Sequence, residues 1–213
     1  MLKSGVSNKM MLKLKYVLII SVITTMGRIT LFAQHHISSY EYRWAVFHPF
    51  IAVKIKHRLP KAMKFYNEVR DAKTLDTLNS GGKLDAFRHV YTMAYLARNI
   101  KVKKLRKLGM AHEKGNKKQF KENGLEEGER PDSLACEMDL RNNELGFILG
   151  AGHKNSSDEE LKAITVTAIK EGRAWYLKRN AGYFYVSCSN DVLDLKRYTG
   201  KWFIPKCLIP TNE

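Results

Sequence analysis

Apolar residues recur at helical spacing over residues 40–178, which make up most of the chain. The clearest run spans 84–99, where Leu84, Phe87 and Tyr91 fall on one side of a helix. A spacing of three or four residues buries one face of a helix and leaves the other face for solvent. The pattern therefore predicts a domain built from packed amphipathic helices.

Prolines, capping residues and glycines divide this pattern into segments. Pro49 either kinks the first helix or begins a second one, and Pro60 is expected to open another. Ser157 and Glu160 have the spacing of a capping box at the start of the last helix. The predicted helical segments are 40–58, 61–72, 84–99, 102–113, 133–149 and 157–178, with a polar loop at 114–132.

The C-terminal residues differ in composition from the helical part. After Gly182, the segments 183–187 and 201–204 are aromatic and β-branched, and each is followed by turn residues or proline. Such segments are typical of strands.

A chain of 213 residues is long enough to form one domain with its own hydrophobic core. We therefore expect a mainly α fold, a single domain of about five to seven helices over 34–180. The tail at 181–213 is expected to be a short β-hairpin or extended.

Residues 1–33 have the order of a secretory signal peptide. Lys13 and Lys15 precede an apolar stretch at 16–26, and the small residue Ala33 offers a cleavage point. This stretch is about half of the ~20 residues that a spanning helix needs, so no permanent transmembrane anchor is expected. An uncleaved membrane anchor is the alternative. The sequence predicts a secreted or periplasmic protein.

The chain is strongly basic, with 37 Lys and Arg against 21 Asp and Glu and a formal net charge of +16. Five basic and no acidic residues lie within 1–33, so the chain without this segment carries +11. A surface of this charge favours anionic ligands such as nucleic acid, phospholipid head groups or acidic glycans, without selecting among them.

The chain has 3 cysteines. Cys188 and Cys207 flank the strand-like C-terminal segment and can pair across it, which would fit export. Cys136 would then be a buried free thiol. We prefer this to a nucleophilic role, because no base lies at an obvious helical spacing from it.

Three short clusters place polar residues where a helical core is normally apolar. Asp85 and His89 are four residues apart, so the carboxylate can orient the imidazole. Asn142 and Asn143 are poor helix formers in the middle of a helix, and they need partners if buried. Gly146 lies in the same helix and indicates a close approach by another backbone or by a ligand. The clusters are Asp85-Ala-Phe-Arg-His89, Ala111-His112-Glu113 and Met138-Asp-Leu-Arg-Asn-Asn-Glu-Leu-Gly146.

Together with His48-Pro49 and Ala52, these clusters resemble a bacterial domain family of unknown function. Its members are secreted proteins or lie at the C-termini of large surface or toxin-like proteins. The resemblance covers residues 40–178 and implies a shared, mostly helical fold and a shared polar site, but no established reaction. One departure is Thr92, where many relatives are expected to have Trp, and it changes the wall of the site rather than its ionisable groups.

The clusters supply residue types suited to metal binding and to acid–base chemistry. A divalent cation such as zinc accepts imidazole and carboxylate ligands, and a metal can generate a hydroxide nucleophile from bound water. Without a metal, an imidazole oriented by a carboxylate can act as a general base. The predicted metal ligands are Asp85, His89, His112 and Asp139. The predicted catalytic residues are His89, His112, Glu113 and Asp139, and the predicted substrate-binding residues are Arg88, Arg141, Asn142 and Asn143.

Two functions follow from this pattern. The first is an exported hydrolase, metal-assisted or acid–base, that acts on an anionic envelope or nucleic-acid substrate; a secreted toxin effector is one version. The second is a non-catalytic envelope domain whose clusters form a buried hydrogen-bond network that fixes which helices meet. Convergence of the clusters around a solvent-reachable site favours the first function, and burial without access favours the second.

Overall fold

The structure is a computed structural model that describes residues 37–126 and 128–213, so the predicted signal peptide lies outside the described residues. The described part contains six α-helices, a short 3-10 helix at Leu195–Tyr198 and a two-stranded antiparallel sheet. The predicted mainly α fold class is confirmed. The helices are α1 (Ser39–Phe47), α2 (Pro49–Asp71), α3 (Lys83–Ala97), α4 (Val102–Lys121), α5 (Ser133–Gly152) and α6 (Asp158–Lys170). The strands are β1 (Trp175–Leu177) and β2 (Leu208–Pro210).

Helix α3 forms the centre of the domain and packs against α2, α5 and α6. Leu84, Phe87 and Tyr91 are fully buried, as their helical spacing predicted. The ring of Tyr91 lies 5.3 Å from that of Phe87 and 5.4 Å from that of Phe65 on α2. Buried aromatic pairs of this kind contribute to stability beyond their apolar area.

Pro49 and Pro60 have different effects on the helices. Pro49 begins a second helix, and a first-turn position costs nothing because its missing N–H would be unpaired there. The prediction that Pro60 opens a helix was wrong, because α2 continues through it. Ile55 before the proline and Phe65 after it both contact the core. Packing on both sides offsets the lost backbone hydrogen bond.

Helix α4 continues through residues 114–121, which the sequence predicted to be loop. Glycine and asparagine in this stretch are buried here because α1 packs against them. A Cβ on Gly115 would lie 2.5 Å from the Cβ of Ser38, so glycine allows the close approach. Tertiary packing therefore outweighs the weak helix propensity of Gly115 and Asn116.

The last helix is shorter than the sequence predicted. Its capping box is confirmed, since Ser157 and Glu160 bond each other's backbone N–H groups, but α6 ends at Lys170. Gly172 then adopts a φ of +80°, the left-handed conformation that terminates many helices. The chain continues into β1, which pairs antiparallel with β2. Helix over 171–178 was therefore a wrong prediction.

None of the helices in the described ranges is long and apolar enough to cross a membrane. The C-terminal residues are joined by a disulfide between Cys188 and Cys207, which are 19 positions apart. Cys136 is free and buried, as expected.

Reduction of this disulfide is expected to lower the free energy of unfolding by about 3 kcal/mol, because the cross-link restricts a loop of about 20 residues in the unfolded chain. Urea unfolding with and without a reductant measures the change. The Cys188→Ser/Cys207→Ser double variant is the control and should not respond to reductant. Equal stability of reduced and oxidised wild type would contradict the prediction.

Candidate functional site

Helices α3 and α5 pack closely enough to bring their polar residues together. A Cβ on Gly146 would lie 2.5 Å from the carbonyl oxygen of Val90, and one on Gly150 would lie 2.3 Å from that of Ala94. Gly146 was predicted to allow a close backbone approach, and this is confirmed. The two glycines remove the side chains that would otherwise hold the helices apart.

Asp85 lies in the first turn of α3 and is buried. Its Oδ2 accepts a hydrogen bond of 2.7 Å from the backbone N–H of Gly81. Its Oδ1 accepts two bonds from Arg88, 2.6 Å from Nη2 and 3.1 Å from Nε. Asp85 is therefore a fully engaged carboxylate that fixes the Arg88 guanidinium beside His89.

His89 lies one turn further along α3, between carboxylates of two helices. Its Nε2 is 3.2 Å from Asp139 Oδ1 and 3.5 Å from Asp85 Oδ1. Arg88 Nη2 lies 3.1 Å from the same nitrogen and can only donate, so Nε2 is the acceptor. The proton of the neutral ring is then on Nδ1, which faces Asn143 Oδ1 at 3.4 Å. Burial, aided by the Arg88 cation, lowers the pKa of His89 to about 4.

Asp139 reaches His89 from α5 and is also buried. Burial, together with the nearby Glu113 and Asp85 carboxylates, raises the pKa of Asp139 well above its ordinary value. Within the described residues its Oδ1 has no hydrogen-bond partner of good geometry. The raised pKa favours the protonated form of Asp139, which can donate to His89 Nε2 in place of Arg88.

Asp85, His89 and Asp139 each offer one ligand atom, and these atoms lie within 4.8 Å of one another. Their donor types fit zinc or a harder divalent cation. Arg88 Nη2 stands within hydrogen-bond distance of two of these residues, so its guanidinium already supplies a positive charge there. A metal would have to displace it.

His112 lies on α4 and is held at both ring nitrogens. Its Nδ1 is 3.1 Å from Glu41 Oε1 on α1, and its Nε2 is 3.0 Å from Glu126 Oε1. Burial opposes charging the ring, but the hydrogen bonds that the ring donates to the Glu126 and Glu41 carboxylates outweigh it and raise the pKa of His112 well above its ordinary value. His112 is therefore an imidazolium near pH 7, in contrast to His89.

Glu113 is a buried carboxyl next to the His112 cation. Asn116 Nδ2 donates a 3.0 Å bond to its Oε2, and its Oε1 has no hydrogen-bond partner among the described residues. Burial raises the pKa of Glu113 to about 7, although the charge of His112 opposes the shift. Burial also raises the pKa of Cys136, so this thiol is not activated.

Residues 42–173 match the model of a family described as "Domain of unknown function (DUF6973)". The chain belongs to this family. No curated protein and no solved structure matches the chain. The match to the DUF6973 domain includes all three polar clusters, and it ends before β1 and the C-terminal segment.

Besides Arg88, three residues of the DUF6973 domain were predicted to bind substrate, and they differ in burial and in partners. These are Arg141, Asn142 and Asn143. Asn142 is buried, and its amide exchanges two 2.9 Å hydrogen bonds with the backbone of Trp175. Arg141 is on the exposed surface of α5, paired with Glu137 and stacked over Trp175. Asn143 alone of these three contacts His89.

Glu41 and Glu126 were not predicted as site residues. Glu41 stands three residues after Ser38, and the two form a capping box that was visible in the sequence. One carboxylate oxygen of Glu41 bonds the Ser38 N–H while the other faces His112. Glu126 lies beyond the end of α4, within the polar loop predicted over 114–132.

Stability should fall as pH rises through the range in which Glu113 loses its proton. Its pKa is about 7 in the folded protein against an ordinary value of 4.5, so the folded state retains this proton longer than the unfolded state. The contribution of protonated Glu113 to the free energy of unfolding is complete below pH 4.5 and is lost as pH rises through 7. Glu113→Gln is therefore expected to match wild type at pH 5 and to be more stable at pH 8, by an amount on the order of 1–3 kcal/mol.

Urea unfolding at the two pH values checks this prediction. Glu137→Gln on the exposed face of α5 is the control and should not change the pH dependence. A Glu113→Gln variant that is less stable than wild type at pH 8 would show that the buried carboxylate is charged and stabilising.

Proposed function

We propose that this DUF6973 domain is an exported hydrolase in which His89 and Asp139 move a proton during attack of water on an anionic substrate. The observation that carries the proposal is the 3.2 Å approach of His89 Nε2 to Asp139 Oδ1, with pKa values shifted in opposite directions. Displaced pKa values of neighbouring buried groups are characteristic of catalytic acids and bases.

The proposed roles follow from the protonation states. Neutral His89 has its lone pair on Nε2, and it serves as the general base that takes a proton from water once Arg88 and Asp139 have turned from this nitrogen to the substrate. Protonated Asp139 serves as the general acid that gives a proton to the leaving group. Arg88, fixed by Asp85, binds the negative charge of the substrate and stabilises the charge that develops in the transition state.

Access is proposed from the side of His112 and Glu126. Their side chains are 27% and 19% exposed, whereas that of His89 is 11% exposed. The charges of His112 and Glu126 both act on His89, and an anionic substrate group can exchange with the Glu126 carboxylate on the imidazolium. This gives His112 a role in substrate entry.

A metal-assisted version of the hydrolase is supported by the three ligand atoms within 4.8 Å. Zinc in catalytic sites commonly keeps three protein ligands and one open position for water. Asp85, His89 and Asp139 would hold the cation once Arg88 has turned away. Zinc titration of the wild type and of His89→Ala, followed by metal analysis, distinguishes this version from the metal-free one.

Export to the periplasm or the outside of the cell is part of the proposal. It is supported by the disulfide between Cys188 and Cys207, since disulfides persist mainly in oxidising compartments. The signal-like segment 1–33 and the basic charge of the remaining chain agree with it.

A non-catalytic envelope domain is the second candidate function. It is supported by the full engagement of Asp85 and by the pairing of His112 at both nitrogens, which are typical of a structural network. In that case the clusters would serve stability alone.

The experiment is a hydrolysis panel with residues 34–213, using phosphodiester, phospholipid and peptidoglycan substrates. The hydrolase is expected to cleave one class, and both His89→Ala and Asp139→Asn should lower kcat by about 100-fold or more. His57→Ala, at an exposed histidine of α2, is the matched control and should retain full activity. Absence of cleavage of all three classes by the folded wild type would overturn the hydrolase, as would full activity of His89→Ala.

A further inference from the structure

A cavity of about 400 Å³ lies between residues 128–131 and the C-terminal segment 179–206. None of Asp85, His89 or Asp139 lines it. Most of its wall comes from residues beyond 173, where the match to the family ends. The volume falls within the range of small-molecule sites. The cavity is therefore separate from the site that contains His89 and Asp139.

Aromatic rings form much of the cavity wall. Tyr183 and Phe184 are adjacent in the chain and are 64% and 62% exposed. Tyr183 also has a positive φ of 63°, a conformation that tyrosine rarely adopts. The turn that contains them thus presents two adjacent rings at the cavity instead of burying them in the core. Exposed rings of this kind are platforms on which flat ligands stack.

Positive charge accompanies these rings. Arg130, Arg179, Lys201 and Lys206 line the cavity, and Glu129 is the one acidic residue among the lining residues that the structure describes. Arg179 pairs with Glu129 at 2.7 Å, and Lys206 pairs with a buried aspartate behind the wall.

The remaining two cations have no carboxylate partner among the described residues. Arg130 donates to the Phe120 carbonyl and to Asn123, and Lys201 lies over the ring of Tyr198. The partners of Arg130 and Lys201 are uncharged, so both side chains keep a net positive charge that can bind an anion.

From these features we infer that the cavity binds a nucleotide, with its base stacked on Tyr183 or Phe184 and its phosphate held by Arg130 and Lys201. Stacked rings and neighbouring cations are the combination by which proteins hold nucleotide units without reading their sequence. A concave site can enclose a small ligand with an aromatic ring. A protein that binds a lipid surface instead buries an apolar face in that surface. The inference does not depend on the proposed hydrolase.

Isothermal titration calorimetry of the disulfide-bonded chain 34–213 tests this with AMP as the probe. Adenosine and inorganic phosphate are titrated separately, since the site needs both the ring and the charge. AMP is expected to bind at least about tenfold more tightly than either fragment. Lys201→Glu and the double variant Tyr183→Ala/Phe184→Ala should each weaken AMP binding by about tenfold.

Lys196→Glu is the matched control, because this lysine is exposed on the neighbouring 3-10 helix and does not line the cavity. It should bind AMP within about twofold of wild type. His89→Ala should bind AMP unchanged, which separates this cavity from the proposed catalytic pair. Equal weakening by Lys196→Glu, or phosphate binding as tightly as AMP, would overturn the nucleotide site. It would also be overturned if AMP does not bind. Binding of phosphatidylglycerol vesicles that Lys201→Glu and Tyr183→Ala/Phe184→Ala abolish would then show that the cavity binds an anionic lipid.

Discussion

Gly150→Ala is expected to destabilise the domain by about 3 kcal/mol or more, although alanine is the better helix former. The added Cβ would lie 2.3 Å from the carbonyl oxygen of Ala94, and backbone cannot rotate away as a side chain can. Helices α3 and α5 would have to separate, and the contacts between His89 and Asp139 would lengthen with them. Urea unfolding followed by circular dichroism measures the loss.

Gly152→Ala is the control in the same helix. A Cβ at Gly152 would meet nothing within 4 Å, so alanine should leave stability unchanged or raise it by up to about 1 kcal/mol. If Gly150→Ala behaved like Gly152→Ala, α3 and α5 would not be packed backbone to backbone, and the geometry of the polar site would need revision.

Lys206→Met is expected to cost about 3–5 kcal/mol, because it leaves a buried charge without its partner. Lys206 Nζ lies 2.7 Å from Asp132 Oδ2, and both side chains are almost fully buried. Asp132 is also the N-cap of α5, where its other oxygen accepts the N–H groups of Leu134 and Ala135. The pair therefore joins the C-terminal segment to the helix that carries Asp139.

A double variant separates the charge from the cap. Lys206→Met with Asp132→Asn removes both charges but keeps a good capping residue, so it should recover most of the lost stability. Lys118→Met, which removes an exposed pair with Glu122, should cost less than about 1 kcal/mol. A loss of that small size for Lys206→Met would show that the buried pair does not hold the segment in place.

Local sequence patterns predicted the helices and part of the site. The spacing of Leu84, Phe87 and Tyr91 located the buried face of α3, and Gly146 indicated a close backbone contact. Both signals arise within one helix, where the period of 3.6 residues fixes which side chains share a face.

Contacts between segments that are distant in the sequence could not be predicted in the same way. Glu41 meets His112 across 71 positions, and β1 pairs with β2 so that Leu177 lies opposite Leu208. Residues 114–121 are helical because Ser38 packs on Gly115, although Gly115 and Asn116 have weak helix propensity. Such features depend on how helices pack, which propensity and periodicity do not encode.

The protonation state of His89 decides whether this residue can act as the general base. ¹⁵N NMR of the imidazole is expected to show a neutral ring at pH 7, with the proton on Nδ1, and protonation that begins only as pH approaches about 4. Asp139→Asn should leave this tautomer in place, because an amide N–H can donate to Nε2 as the protonated carboxyl does. An imidazolium at pH 7 would contradict the proposed roles, because His89 would then have no lone pair to accept a proton from water and Asp139 would have no proton to give.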